Sequence, residues 1–101
     1  MSIENMLVYK DIEINLNTRI VRRGDIVLRL PHKEYILLLE FMNSPEKILS
    51  KEYLLEKVCA IYFPLDTTRI EVHVCNLRKK LDRMFEEKRI QTVPCAGYML
   101  N

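Results

Sequence analysis

Residues 67–84, TTRIEVHVCNLRKKLDRM, constrain the fold more than any other stretch. The run contains no Pro or Gly, and its apolar residues recur at Ile70, Val74, Leu77 and Leu81. Spacings of four, three and four place these on one α-helical stripe, roughly 60° wide at about 100° per residue. Arg69, Val72, His73, Asn76, Lys79, Lys80 and Arg83 fall on another arc, centred roughly 130° from the stripe. Glu71 and Asp82 lie on the far flank with Arg78. The pattern predicts a helix over 68–84 with a buried seam, a mostly cationic polar face and a separate acidic edge. A helix of this kind can rest on a core and put its other face into a DNA major groove. The plainer reading is a solvated charged face.

A chain of 101 residues has room for one domain with one modest core. Its 49% hydrophobic and 30% charged content is that of an ordinary globular domain. No apolar run approaches the roughly 18 residues of a membrane span, and residues 1–15 do not form a signal peptide, so a cytoplasmic location without membrane contact is expected. The net charge of +2 is unevenly spread. Thr68–Asn101 carries seven Lys/Arg against four Asp/Glu, or +3, and the first 67 residues carry nine against ten, or −1. The basic excess sits with the organising helix, a mild footprint for phosphate. Cys59, Cys75 and Cys95 are odd in number, widely spaced and without a C-x-x-C, which favours reduced thiols over disulfides or structural zinc. Glu71, His73 and Cys75 lie two apart on a helix and cannot converge on one ion. No nucleophile–base pair or phosphate loop is visible, so neither catalysis nor a cofactor is expected.

Taken in order, the chain opens with short β-branched runs at 7–9, 12–14, 19–22 and 26–28. Turn formers separate them at 10–11, 15–18 and 24–25, which predicts an antiparallel meander. Tyr35, Leu38, Leu39 and Met42 mark a first helix near 33–43, poorly capped by Pro31 and ended by Asn43-Ser44-Pro45. Ser50 caps a second helix near 51–60, with Leu54, Leu55 and Val58 as its stripe. Residues 59–66, CAIYFPLD, form a loop with unusual apolar content, and Ile61, Tyr62 or Phe63 is expected to be part core and part exposed. After the organising helix, residues 89–93 and 98–100 read as a hairpin about Pro94–Gly97. The result is an α+β winged helix-turn-helix forming one domain over 1–101. Its parts are an N-terminal antiparallel sheet (6–29), a three-helix core (32–85) and a C-terminal hairpin wing (89–100).

The runs LPHKEYILLLEFMNSPEKILSKEYLLEKV, TTRIEVHVCNLRKKL and IQTVPCAGYML resemble the C-terminal effector domain of OmpR/PhoB-type response regulators. The resemblance extends from about Leu7 to Leu100. Its most specific parts are V-H-V-x-x-L-R-K-K-L on the recognition helix and I-Q-T-V-x-x-x-G-Y in the wing. It implies a transcription regulator that binds double-stranded DNA at direct repeats as a head-to-tail dimer. It also implies a receiver or other domain in a full-length parent, docked on the N-terminal sheet. The loop with Ile61, Tyr62 and Phe63 would then be a contact for RNA polymerase. Arg69, Val72, His73 and Asn76 occupy the family's groove-facing positions. Arg78 and Tyr98 match residues that contact phosphate, and Thr92 lies at a wing contact position. With Thr68, Lys79 and Lys80 these make up the candidate DNA-binding set.

The departures are Cys75 and Asn76 where Arg is frequent, Pro94-Cys95 where Arg-Gly is usual, and Cys59 where an aromatic is common. The Pro in T-V-P is also similar to ToxR/CadC-like regulators. A winged module used for protein contacts is the alternative that the neutral wing tip favours.

Overall fold

The computed structural model describes residues 5–61 and 66–101. Four strands, β1 (Met6–Tyr9), β2 (Ile12–Asn15), β3 (Ile20–Arg23) and β4 (Ile26–Leu28), form an antiparallel meander in chain order. Period-two alternation turns Ile12, Ile14, Val21 and Arg23 inward. The turns match their residues: Gly24 is left-handed at φ 59°, and the Asn15 side chain accepts from the amides of Asn17 and Thr18. Arg19 is left-handed as well (φ 61°), so β3 starts at Ile20 and runs on to Arg23, one residue later than the sequence suggests.

Helix α1 (His32–Asn43) follows Pro31, which supplies no side-chain cap. Its buried face is wider than the expected stripe. Tyr35, Leu37, Leu38, Phe41 and Met42 are all buried, and Leu39 is only partly so. The width follows from position: α1 packs against β1 and against the other two helices. A two-residue strand β5 (Ile48–Leu49) comes next, too short to leave a period in the sequence. Ser50 then caps α2 (Lys51–Cys59), its hydroxyl accepting from the Tyr53 amide at 3.0 Å. Leu54, Leu55 and Val58 are its buried residues, as expected.

Helix α3 (Thr68–Leu81) buries Ile70, Val74, Leu77 and Leu81 at no more than 1% exposure each. Burying one such side chain contributes about 1.5–3 kcal/mol, so this seam is what fixes the helix to the core. Thr67, the N-cap residue, supplies no side-chain cap, and the Asp66 carboxylate before it accepts from the Thr68 hydroxyl and, at 2.9 Å, from the Thr68 amide. Those two bonds, the hydroxyl's first, hold its pKa below the usual carboxylate range. The helix ends three residues before the expected 84, because the chain turns inward at Asp82.

Strands β6 (Ile90–Val93) and β7 (Gly97–Leu100) close the chain as an antiparallel hairpin. β5 adds to its inner edge, giving the order β5-β7-β6. Gly97 has φ 143°, and a Cβ there would lie 2.1 Å from the Leu49 carbonyl oxygen, so only glycine lets β5 approach. Buried side chains of the meander, the three helices and the hairpin form one core.

Candidate nucleic-acid interface

The outer face of α3 carries the residues singled out in the sequence. Thr68, Arg69, Val72 and Lys79 are exposed, and His73 and Asn76 are half-buried. Val72 is 52% exposed, an uncovered apolar patch within a polar row. Arg69, Val72, His73 and Asn76 are spaced by three, one and three, so they share one side of the helix.

The hairpin is bolted beside this row. Arg78 Nη2 donates to the Thr92 hydroxyl at 2.6 Å, and Arg78 Nε donates to the Ile90 carbonyl at 3.2 Å. The guanidinium lies 5.4 Å from the Tyr98 ring centroid. Lys51 Nζ lies 6.0 Å from the same ring and 2.9 Å from Glu71 Oε2. The Glu71 carboxylate, by accepting that bond, raises the Lys51 pKa. Arg78 and Tyr98 thus join the wing to α3, and Tyr98 is 5% exposed. Between α3 and the wing runs a groove of about 470 Å³, lined by Val74, Cys75, Lys79, Arg83, Ile90 and Tyr98 among others.

Two charges have partners that the helical pattern does not reveal. Lys80 Nζ pairs with Glu34 Oε1 at 2.7 Å, reaching α1 across the helix contact. Lys79 and Arg83 have no carboxylate partner among the described residues. Asp82 belongs to no exposed acidic edge: it is 4% exposed and accepts from Arg23 Nη1 at 2.7 Å. Glu71, on the same flank, is exposed but engaged by Lys51.

No sequence pattern singles out Arg23, Asp11 and Arg89 as a set, although the spacing Val21-x-Arg23 does place an arginine on the core face of β3. Partial burial acts to raise the Asp11 carboxyl, but hydrogen bonds from Arg89 and Arg23 outweigh it and the net shift is downward. Of the apolar loop, Ile61 is half-buried against the core, and Tyr62 and Phe63 lie outside the described residues. The three cysteines are free thiols, with Cys75 and Cys95 exposed. Among the described residues no helix is long and apolar enough to cross a membrane.

Residues 25–100 match the family described as "Transcriptional regulatory protein, C terminal". The chain belongs to this family. It is 35% identical over 98 residues to the uncharacterized transcriptional regulatory protein YkoG of Bacillus subtilis. It is 37% identical over 98 residues to the transcriptional regulatory protein CusR of Escherichia coli. Each alignment covers 97% of this chain and 43% of the relative, so the chain spans less than half the length of the curated relatives it matches. Among solved structures, it superposes on the DNA-binding domain of the response regulator AdeR, crystallised in complex with an intercistronic region. The TM-score is 0.83 at 27% identity, over 94% of this chain and 97% of that one. The regulator domain is thus a winged helix-turn-helix of the OmpR/PhoB type, with α3 as its recognition helix and β6–β7 as its wing.

Proposed function

We propose that this regulator domain binds double-stranded DNA sequence-specifically, with α3 in the major groove and the wing alongside it. The observation that carries this is the row Arg69, Val72, His73 and Asn76. It faces away from a fully buried seam and is flanked by a hairpin held in place by Arg78. In this reading Val72 packs on a thymine methyl and Asn76 pairs bidentately with an adenine, giving a half-site with A·T pairs under the centre of the helix. Lys79 and Thr68 hold phosphate, as does Thr92 from the wing. Arg78, half-buried, ties the wing to α3, and Tyr98, 5% exposed, supports the wing from beneath. Two copies on repeated half-sites supply the affinity that a wing tip of Pro94, Cys95 and Ala96, without a cation, leaves out.

In a full-length parent, the outer face of the N-terminal sheet, with exposed Val8, Ile20 and Val27, receives another domain. The loop containing Ile61, Tyr62 and Phe63 meets RNA polymerase, and the protein works in the cytoplasm without catalytic chemistry. The test is selection of sites from random DNA, followed by titration of variants on matched and scrambled sequences at two salt concentrations. Asn76→Ala is expected to cost about 1–3 kcal/mol on the matched site and to flatten preference at one position. Lys79→Ala is expected to weaken all sequences alike and to lower the salt slope by about one. An unchanged matched-to-scrambled ratio for Asn76→Ala removes Asn76 from base reading. A wild-type domain that selects no sequence sinks the function itself. The winged fold would then serve protein contacts, for which the neutral wing tip is the supporting feature.

A further inference from the structure

The residue that ends the recognition helix is a carboxylate where local physics argues against one. Asp82 occupies the C-cap of α3, at the negative end of the helix dipole, and it is buried. Both of its oxygens are in use. Oδ1 accepts from Arg23 Nη1 at 2.7 Å and from the Arg89 amide at 3.1 Å, and Oδ2 accepts from the Ile90 amide at 3.2 Å. Arg89 and Ile90 are the root of the wing. Arg23, fully buried, also donates to the Leu81 carbonyl at 3.0 Å, to the Glu87 carbonyl, and through Nε to Asp11 Oδ2 at 3.0 Å. The other Asp11 oxygen takes Arg89 Nε at 3.0 Å. Asp82, Arg23, Asp11 and Arg89 therefore close a ring through three parts of the fold: the inner face of the N-terminal sheet, the end of α3 and the start of β6.

A buried ion pair adds little net stability compared with a well-packed apolar substitute, because desolvation offsets the attraction. What such a pair supplies, and an apolar contact does not, is direction. A planar guanidinium and a carboxylate with both oxygens bonded hold their partners at fixed angles. Here the partners are the last carbonyl of the recognition helix and the first amides of the wing. The wing's other ties are its pairing with β5 and Arg78, whose Nη2 holds Thr92 farther along the hairpin and whose Nε reaches the Ile90 carbonyl, not the Arg89 and Ile90 amides that Asp82 engages.

We propose that this ring is a positioning device for DNA recognition, in which Asp82 sets the angle between wing and recognition helix and the N-terminal sheet takes part in binding without touching DNA. This rests on the proposed DNA reading above. Asp82 is then a positioning residue, and Asp11 supports it from the turn between β1 and β2.

The experiment titrates wild type, Asp82→Asn, Asp11→Asn, Thr92→Ala and the double variant Asp82→Asn/Thr92→Ala on selected and scrambled DNA. The temperature is one at which circular dichroism and amide spectra show each chain folded. Asp82→Asn keeps the shape but puts an NH2 group against a backbone amide, so one root contact is lost. The expected result is about tenfold weaker binding of the selected site, which is about 1.4 kcal/mol. Amide shifts are expected at residues 91–97 and none in α1. The loss is expected to shrink at least threefold in the Thr92→Ala background, since that change removes both the phosphate contact being positioned and its bond to Arg78. Should Asp82→Asn fail to fold, Asp11→Asn carries the test, with about threefold weaker binding expected. Additive penalties in the double variant, or folded variants that bind as wild type does, overturn the proposal and leave DNA binding standing. A wild-type domain that binds no DNA overturns both.

Discussion

Replacing Lys80 separates a structural lysine from a DNA-contacting one. Its ammonium lies 2.7 Å from Glu34 Oε1, and the Glu34 side chain is 6% exposed against 38% for Lys80. Removing one partner of a fully buried pair costs about 3–5 kcal/mol, whereas an exposed pair contributes about 0–1 kcal/mol. Two features pull this case below the buried value. Lys80 remains partly in water, and Glu34 stands in the first turn of α1, where the helix dipole favours a carboxylate. The expected loss for Lys80→Ala is therefore about 1–2 kcal/mol. With a urea m-value of about 1–1.5 kcal/mol/M for a domain of this size, the unfolding midpoint falls by roughly 1 M. Glu34→Gln and the double variant complete a cycle whose coupling is expected to exceed about 1 kcal/mol. On DNA the order reverses. Glu34 already neutralises Lys80, so Lys80→Ala is expected to change the salt slope less than Lys79→Ala, which lowers it by about one with stability held within about 0.5 kcal/mol. If Lys80→Ala unfolds at the wild-type urea concentration and lowers the slope as Lys79→Ala does, the bridge between α1 and α3 does not form in solution and this reasoning is wrong.

Gly97→Ala places a Cβ 2.1 Å from the Leu49 carbonyl oxygen and is expected to cost about 3 kcal/mol or more by parting β5 from β7; a near-neutral urea curve refutes that geometry. Cys95 holds φ 64° at the wing tip, so Cys95→Gly is expected to raise stability by about 0.5–1 kcal/mol in thermal melts, and a loss of stability refutes the strain assignment. The folded-state pKa of Asp11 lies below its unfolded value of about 3.9. Its contribution is thus fully present above that value and is lost as pH falls through the folded pKa. Urea midpoints followed from pH 7 to pH 2 are expected to drop below about pH 4 in wild type and less steeply in Asp11→Asn, and parallel curves refute the assignment.

How much of this was legible in the sequence depends on the range over which each feature is encoded. The seam of α3 is a repeat within one element, and Ile70, Val74, Leu77 and Leu81 are all buried as the period requires. The Ser50 cap and the turn at Gly24 are equally local, and both stand where their residues place them. The buried face of α1 is wider than its periodicity implies, because its width is set by which neighbours surround it. Leu37 and Phe41 are buried by elements whose arrangement no window of twelve residues contains. β5 has two residues and exists as a strand only because β7 pairs with it.

The charge pairings are encoded over a longer range still. A helical wheel sorts charges by angle, and by angle Asp82 and Lys80 are surface residues. Asp82 finds Arg23 at a separation of 59 residues, and Lys80 finds Glu34 at 46. The first pairing takes Asp82 into the core, and the second ties Lys80 to Glu34 while leaving its side chain 38% exposed. The sequence nonetheless carries one sign of the conflict. An aspartate at the C-terminal end of a helix opposes the dipole, and an arginine two residues after a buried valine opposes the alternation of its strand. Each is unfavourable alone, and each supplies what the other lacks. Two local violations of opposite charge in one small domain are therefore grounds for pairing them with each other.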